Sequence, residues 1–170
     1  MRVYHAQVKT RLGEVTLLSD GAALTGLYFP HHWYMPDVDT FGKAIDPQQD
    51  AILTQAANEL QEYLSGERRT LDVPLVTRGD DFSERVWKLL REIPYGQTTT
   101  YGALAERLGD KSLAQRVGDA VGHNPLCVFI PCHRVVGASG ALTGYAGGLA
   151  RKKALLELEE SADKRDERLF

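Results

Sequence analysis

The sequence predicts a mixed α/β (α+β) chain in two parts. Residues 1–77 read as a small N-terminal antiparallel sheet with a helix, and residues 78–170 as a mostly helical part containing a helix-turn-helix at about 100–121. Three observations carry this. Val3, His5 and Gln7 alternate with Tyr4, Ala6 and Val8, and two further short runs follow, set off by Gly13 and Asp20-Gly21, which is the pattern of strands joined by hairpins. From Pro47 to Leu64 the apolar residues recur every four positions, which is a helical period. From Asp80 onward the helical period returns in short pieces, two of them parted by Gly109-Asp110-Lys111.

In order, Val3 to Val8 alternates as a first strand, Val15 to Leu18 makes a second and Leu24 to Phe29 a third. Residues 30–46 hold prolines, histidines and aspartates without a period and read as a loop, with His31-His32 as a solvated pair. The helix over Pro47 to Leu64 ends at Gly66, and a connector from Glu67 to Arg78 holds a short extended piece at Leu71, Val73 and Leu75. Asp81-Phe82-Ser83-Glu84 has the pattern of a capping box with Asp81 as cap. It opens a helix with Phe82, Val86, Leu89, Leu90 and Ile93 inward, stopped by Pro94-Tyr95-Gly96. Thr100 to Leu108 is a short helix, and Ser112 caps the next, Leu113 to Val121. Two such helices either bind DNA or merely pack as a pair. After a turn at Gly122-His123-Asn124-Pro125, Leu126 to Ile130 reads as a buried strand. Residues 137–148 contain five glycines and read as a mobile loop lining a site. Leu149 to Glu160 is a terminal helix with Leu149, Ala154, Leu155 and Leu158 as its apolar side, and residues 161–170 read as a frayed charged end.

The 43% hydrophobic content supports a packed core, and the net charge of −3 excludes a strongly basic nucleic-acid coat but not a local cationic face. No apolar run approaches the length of a membrane span, and the first residues lack the apolar stretch of a signal peptide. A reduced, cytoplasmic protein is expected. The two cysteines, Cys127 and Cys132, lie five apart; on a strand their side chains point to opposite faces, which argues against a disulfide and leaves Cys127 as a simple buried residue. His5, His31 and His32 have no cysteine near them in the N-terminal part, so no metal is expected.

The most informative segment is Ile130-Pro131-Cys132-His133-Arg134, followed by Val135-Val136-Gly137. A free cysteine is mostly protonated at neutral pH, and an adjacent imidazole and fixed cation are common means of forming the reactive thiolate. A buried cysteine beside a solvated His-Arg pair is the plainer alternative. The surroundings favour chemistry: a helix-turn-helix pattern, Asn124-Pro125, an apolar strand, Pro-Cys-His-Arg, then Gly144-Tyr145-Ala146-Gly147-Gly148 and a helix bearing Glu159. This order and spacing resembles the O6-alkylguanine-DNA alkyltransferases, closely over residues 80–160 and in pattern only before that.

The resemblance implies stoichiometric, irreversible transfer of an alkyl group from O6-alkylguanine, and from O4-alkylthymine, to Cys132 after the nucleotide is flipped out of the duplex. His133 would take the thiol proton through a water, Glu159 would orient the imidazole, and Tyr101 would donate to the guanine ring. Asn124 would hold the turn before the active-site segment. Tyr145, Ala146, Gly147 and the main chain at Val135 would form the base pocket. The recognition helix would bind double-stranded DNA through its minor groove, with Lys111, Ser112, Gln115, Arg116 and Arg134 as contacts. No cofactor, metal or membrane is implied; a monomer is expected, with cooperation between copies on DNA left open. One departure stands out. The family usually has an arginine three residues before the glycine of the recognition helix, filling the gap left by the flipped base. Counted back from Gly118 that position is Gln115, and Arg116 is its neighbour; the longer arginine is expected to reach the duplex. A non-catalytic lesion binder, an alkylation-sensing regulator and a Cys-His hydrolase are the alternatives, separated by alkyl transfer to Cys132, an added effector domain and multiple turnover respectively.

Overall fold

A computed structural model describes residues 3–168, with side chains through residue 160. The chain divides into two compact units, Met1–Thr77 and Arg78–Phe170.

In the first unit β1 (Tyr4–Thr10), β2 (Gly13–Ser19) and β3 (Leu24–Tyr28) form an antiparallel meander. The β1–β2 register runs from Tyr4 opposite Ser19 to Thr10 opposite Gly13. The region read as a loop contributes a fourth strand, β4 (Lys43–Ala44), parallel to β1, giving the order β3-β2-β1-β4. Lys43 and Ile45 donate to the carbonyls of Val3 and His5 at 3.1 and 3.0 Å. A Cβ at Gly42 would meet the Val3 carbonyl oxygen, so only glycine, here at φ +73°, lets this strand dock.

A single turn of 3-10 helix (Pro47–Gln49) leads into α1 (Ala51–Leu64), whose N-terminus is capped by the Asp50 carboxylate on the Leu53 amide at 3.0 Å. Helix α1 packs on β1 and β2 and buries Ile52, Leu53, Ala56, Leu60 and Leu64. The sheet is apolar on both faces of β2. Val15 and Leu17 are buried on one face, and Leu18 joins Tyr28 and Phe41 on the other, with the two rings stacked at 5.6 Å. The buried Glu59 carboxylate accepts from the Asp72 and Val73 amides at 2.7 and 3.0 Å, pinning the connector so that Leu75 bridges to Leu24. His32 is buried rather than solvated. Its Nδ1 accepts from the Phe29 amide at 3.2 Å, which closes the turn after β3, while His31 is exposed.

The second unit holds α2 (Asp81–Arg91), β5 (Thr99–Thr100), α3 (Tyr101–Arg107), α4 (Ala114–Gly122), β6 (Val135–Val136) and α5 (Leu149–Arg168). The cap of α2 is Asp80, one residue earlier than the sequence pattern indicated: its carboxylate accepts from the Ser83 amide at 2.7 Å. The Trp87 indole N–H donates to the Ala120 carbonyl at 2.8 Å, tying α2 to α4. Helix α3 is capped by Thr100 and ends before Gly109, whose φ of +115° turns the chain. Ser112 is not the cap of the second helix. Asp110 caps a 3-10 turn (Lys111–Leu113), accepting from the Ser112 amide at 2.9 Å, and α4 continues from it at Ala114.

Leu126–Ile130 is not a strand. Val128 has φ +75°, and the Ile130 amide donates back to the Leu126 carbonyl at 2.8 Å, so the segment folds into a tight turn. The short strands β5 and β6 pair in parallel and were not evident in the sequence, because two residues carry no period. The buried side of α5 is Lys152, Leu155 and Glu159; Leu149 and Ala154, expected there, are exposed, and Leu158 is half-buried. Helix α5 runs on to Arg168, past the end expected at Glu160, so the backbone of 161–168 is helical where a frayed end was expected; residues 169–170 lie outside the described residues.

Candidate active site

One asparagine shapes the segment that carries the thiol. The Asn124 side chain, 1% exposed, accepts from the Leu126 amide and donates to the Ile130 carbonyl, both at 2.9 Å. It spans the folded turn and stands in for backbone pairing that Pro125 cannot supply. The Cys132 amide donates to the Ile130 carbonyl at 2.8 Å, and Cys132–Arg134 form one 3-10 turn leading into β6. The turn presents Cys132, His133 and Arg134 in different directions, and all three are buried.

His133 and Arg134 converge on Glu159 of α5. His133 Nε2 lies 2.7 Å from Glu159 Oε2, and Arg134 donates through Nε to Oε1 at 2.8 Å and through Nη2 to Oε2 at 3.1 Å. Arg134 Nη1 donates to the Ile93 carbonyl at 2.6 Å. Burial opposes the charge on Glu159, but the hydrogen bonds and charges of His133 and Arg134 outweigh it and hold the carboxyl at about 2. Glu159 is therefore ionised and can only accept, so His133 Nε2 carries the hydrogen. Nδ1 is then the basic nitrogen. It is buried and has no hydrogen-bond partner among the described residues. Burial pushes the His133 pKa down against the pull of Glu159, which keeps the imidazole neutral and able to take a proton.

The Cys132 sulfur lies 3.7 Å from that of Cys127. This corrects the opposite-face reading: the left-handed residue at Val128 breaks strand parity and folds Cys127 back toward Cys132. The Cys127 contact lowers the Cys132 pKa against the effect of burial, helped by Asn124 and by the positive charge of Lys152, while Cys127 is pushed well up by the same contact and by burial. Lys152 is fully buried; its ammonium donates to the carbonyls of Val135 at 2.6 Å and Thr143 at 3.1 Å. Burial lowers the Lys152 pKa and the charge on Cys132 raises it, so each ion supports the other.

Tyr145, Ala146 and Gly147 are buried. The Tyr101 hydroxyl is 3.0 Å from Thr143 Oγ1, so the Lys152-held loop also orients the phenol. A Cβ at Gly118 would lie 3.8 Å from the Tyr101 ring, which places the Gly118 side of α4 against Tyr101. Gln115, one turn earlier on that side, is exposed. Arg116 is turned toward α2, its guanidinium 4.0 Å over the Phe82 ring, and its charge adds to the Ser83 hydrogen bonds that chiefly lower the Asp80 pKa. Lys111 is exposed in an ion pair with Glu106 at 3.2 Å. Ser112 is exposed in the 3-10 turn before α4. Arg134, expected at the DNA, is instead enclosed and committed to Glu159, because the 3-10 turn points it inward.

Comparison with known proteins decides what this arrangement belongs to. Residues 81–161 match the model of the 6-O-methylguanine DNA methyltransferase DNA-binding domain, and residues 3–77 match the ribonuclease-like domain of the same proteins. The chain belongs to the 6-O-methylguanine DNA methyltransferase family. It is 43% identical over 176 residues to the methylated-DNA-protein-cysteine methyltransferase of Mycobacterium tuberculosis H37Rv, with 99% of each chain covered. It is 35% identical over 153 residues to the constitutive enzyme of that name from Bacillus subtilis, covering 90% of this chain and 92% of the relative. The crystal structure of Mycobacterium tuberculosis OGT in complex with DNA matches with a TM-score of 0.83 at 41% identity, over 94% of each chain.

In this methyltransferase, three contributors escaped the sequence reading: Cys127, Thr143 and Lys152. Lys152 was within reach. It sits seven residues before Glu159 and three before Leu155, on one helical face. A search for apolar periodicity passes over a face whose members are mostly charged.

Proposed function

We propose that this member of the methyltransferase family repairs O6-alkylguanine in double-stranded DNA by moving the alkyl group irreversibly to Cys132. The observation that carries the reading is the buried pair that follows Cys132 in the chain: an ionised Glu159 fixing His133 Nε2–H, and a basic Nδ1 with no hydrogen-bond partner among the described residues.

The lesion's alkyl carbon lies inside the duplex, so the nucleotide is flipped into the pocket bounded by Tyr145, Ala146, Gly147 and Val135. Helix α4 enters the minor groove, with Gln115 on its Tyr101 side and Lys111 and Ser112 beside the backbone. His133 takes the Cys132 proton through an intervening water. The thiolate attacks the alkyl carbon, a C–S bond forms as the C–O bond breaks, and the electron pair leaves on the guanine oxygen. Tyr101, aligned by Thr143, donates a hydrogen bond to the guanine ring and makes the base a better leaving group. Lys152 and the Cys127 thiol stabilise the thiolate before attack. O4-alkylthymine presents the same alkyl–oxygen bond and is a second substrate. The thioether has no exit chemistry here, so each molecule acts once. One copy of the chain carries every reacting group, and the monomer is the acting unit.

Among the described residues no helix is long and apolar enough to cross a membrane. Work on DNA with two reduced cysteines fits the cytoplasm. A duplex with a labelled O6-methylguanine tests the proposal: label in protein should plateau at about one equivalent, and steady release of labelled small product beyond that would favour a hydrolase.

A further inference from the structure

Transfer as proposed above uses Cys132 as a nucleophile, yet the fold brings a second thiol to it. Cys127 and Cys132 are both reduced and buried, with sulfurs 3.7 Å apart. The approach is built in by three local features: the left-handed Val128, the Ile130 amide bond to the Leu126 carbonyl, and the Asn124 side chain spanning the turn. A metal does not explain the pair, since no group of metal-ligating side chains occurs among the described residues. Closing a disulfide requires the sulfurs to approach to about 2.05 Å, a movement smaller than one side-chain rotation.

We propose that Cys127 is a resolving cysteine: when a hydroperoxide oxidises Cys132, Cys127 captures it as a reversible internal disulfide. In the first step the Cys132 thiolate attacks the peroxide, the O–O bond breaks, Cys132 becomes a sulfenic acid, and the peroxide is reduced to water or an alcohol. In the second, the Cys127 sulfur displaces that oxygen, the S–S bond forms, and the Cys127 proton leaves with the hydroxyl as water. A dithiol reductant returns both thiols. The division of labour fits the electrostatics, because Cys132 is held toward the thiolate and Cys127 toward the thiol. For a protein that spends its nucleophile once, the consequence is direct. Without a resolving thiol, sulfenic acid advances to sulfinic acid, which thiols do not reverse. The disulfide stores the acceptor in a recoverable form.

The oxidation rests only on a reactive Cys132, whereas its effect on repair rests on the proposed function, so the two are read separately. The full chain, without DNA, is treated with a small excess of hydrogen peroxide, blocked with N-ethylmaleimide and peptide-mapped. The proposal predicts loss of two hydrogens, no maleimide on either cysteine and a Cys127–Cys132 cross-link. In a parallel sample dithiothreitol should restore both the original mass and alkyl acceptance from an O6-methylguanine duplex. C127S, and C127A if the serine protein does not fold, should instead gain two or three oxygens on Cys132 and stay inactive after dithiothreitol. Direct advance of the wild type to sulfinic acid, or retention of two maleimide-reactive thiols, would overturn the proposal, and the wild-type map decides even if neither variant folds. A wild-type cross-link in a protein that never accepts an alkyl group would leave the disulfide standing and remove the proposed function.

Discussion

Replacing Glu159 by glutamine removes a charge and keeps the shape. The carboxylate receives three donors, from His133 Nε2, Arg134 Nε and Arg134 Nη2. A carboxamide offers one oxygen and one NH2, so its nitrogen must face a donor, and the buried Arg134 loses its countercharge. The cost follows from the titration. Glu159 sits at about 2 against a usual 4.5, and at about 1.4 kcal/mol per unit this corresponds to ~3 kcal/mol of folding free energy. Breaking one side of a buried ion pair independently suggests about 3–5 kcal/mol. The sign is set by the folded pKa being depressed. The contribution is complete above pH 4.5 and is lost as pH falls from 4.5 toward about 2. Urea unfolding of both proteins should therefore show Glu159→Gln less stable by ~3 kcal/mol at neutral pH, with roughly a third to a half of that gap gone by about pH 3.5. A neutral-pH gap under about 1 kcal/mol, or a gap that does not narrow in acid, would refute an ionised, charge-clamped Glu159.

Three further outcomes follow from the site. His133→Ala should fold and bind duplex but transfer at least about a hundredfold more slowly at neutral pH, with rate recovered as pH rises toward the thiol's own ionisation; a pH-independent defect in single-turnover kinetics would remove His133 as base. Gln115→Ala should weaken binding to a lesion-bearing duplex more than Arg116→Ala does, because Gln115 lies on the Tyr101 side of α4 while Arg116 stacks on Phe82; titration of fluorescent duplex decides, and the reverse order would show Arg116 leaving Phe82 for DNA. Lys152→Met should raise the pH at which Cys132 reacts with iodoacetamide, since the buried ammonium that supports the thiolate is gone, and an unchanged alkylation profile would make Lys152 only a clamp on the Thr143 loop.

How far the sequence reaches depends on the interaction involved. The meander of β1–β3 and helix α1 follow from local period and were readable. So was the pairing of His133 with Glu159, through the family resemblance that residue order carries. Strand β4 was not readable, because it depends on Gly42 letting the chain approach Val3, a distant contact with no local period. The Cys127–Cys132 pairing was hidden for a different reason. Strand parity assumes unbroken extended backbone, and a single left-handed Val128 reverses it. Arg134 looked like a DNA contact because cations are ordinarily exposed. Only the 3-10 turn, which aims it at Glu159, shows that its charge is spent inside. His32 and Lys152, polar by type, are core members because each meets a backbone partner, His32 the Phe29 amide in its own turn and Lys152 the distant Val135 carbonyl.

The central claim is that Cys132 ends the reaction as the alkylated atom. Incubating the protein with a duplex carrying one O6-methylguanine, then mapping its peptides by mass spectrometry, tests this most directly. The account predicts a gain of one CH2 on the peptide containing Cys132, located to that sulfur by fragmentation, with Cys127 unmodified and the guanine in the duplex restored. Restored guanine with Cys132 unmodified, or the methyl on Cys127, would contradict it.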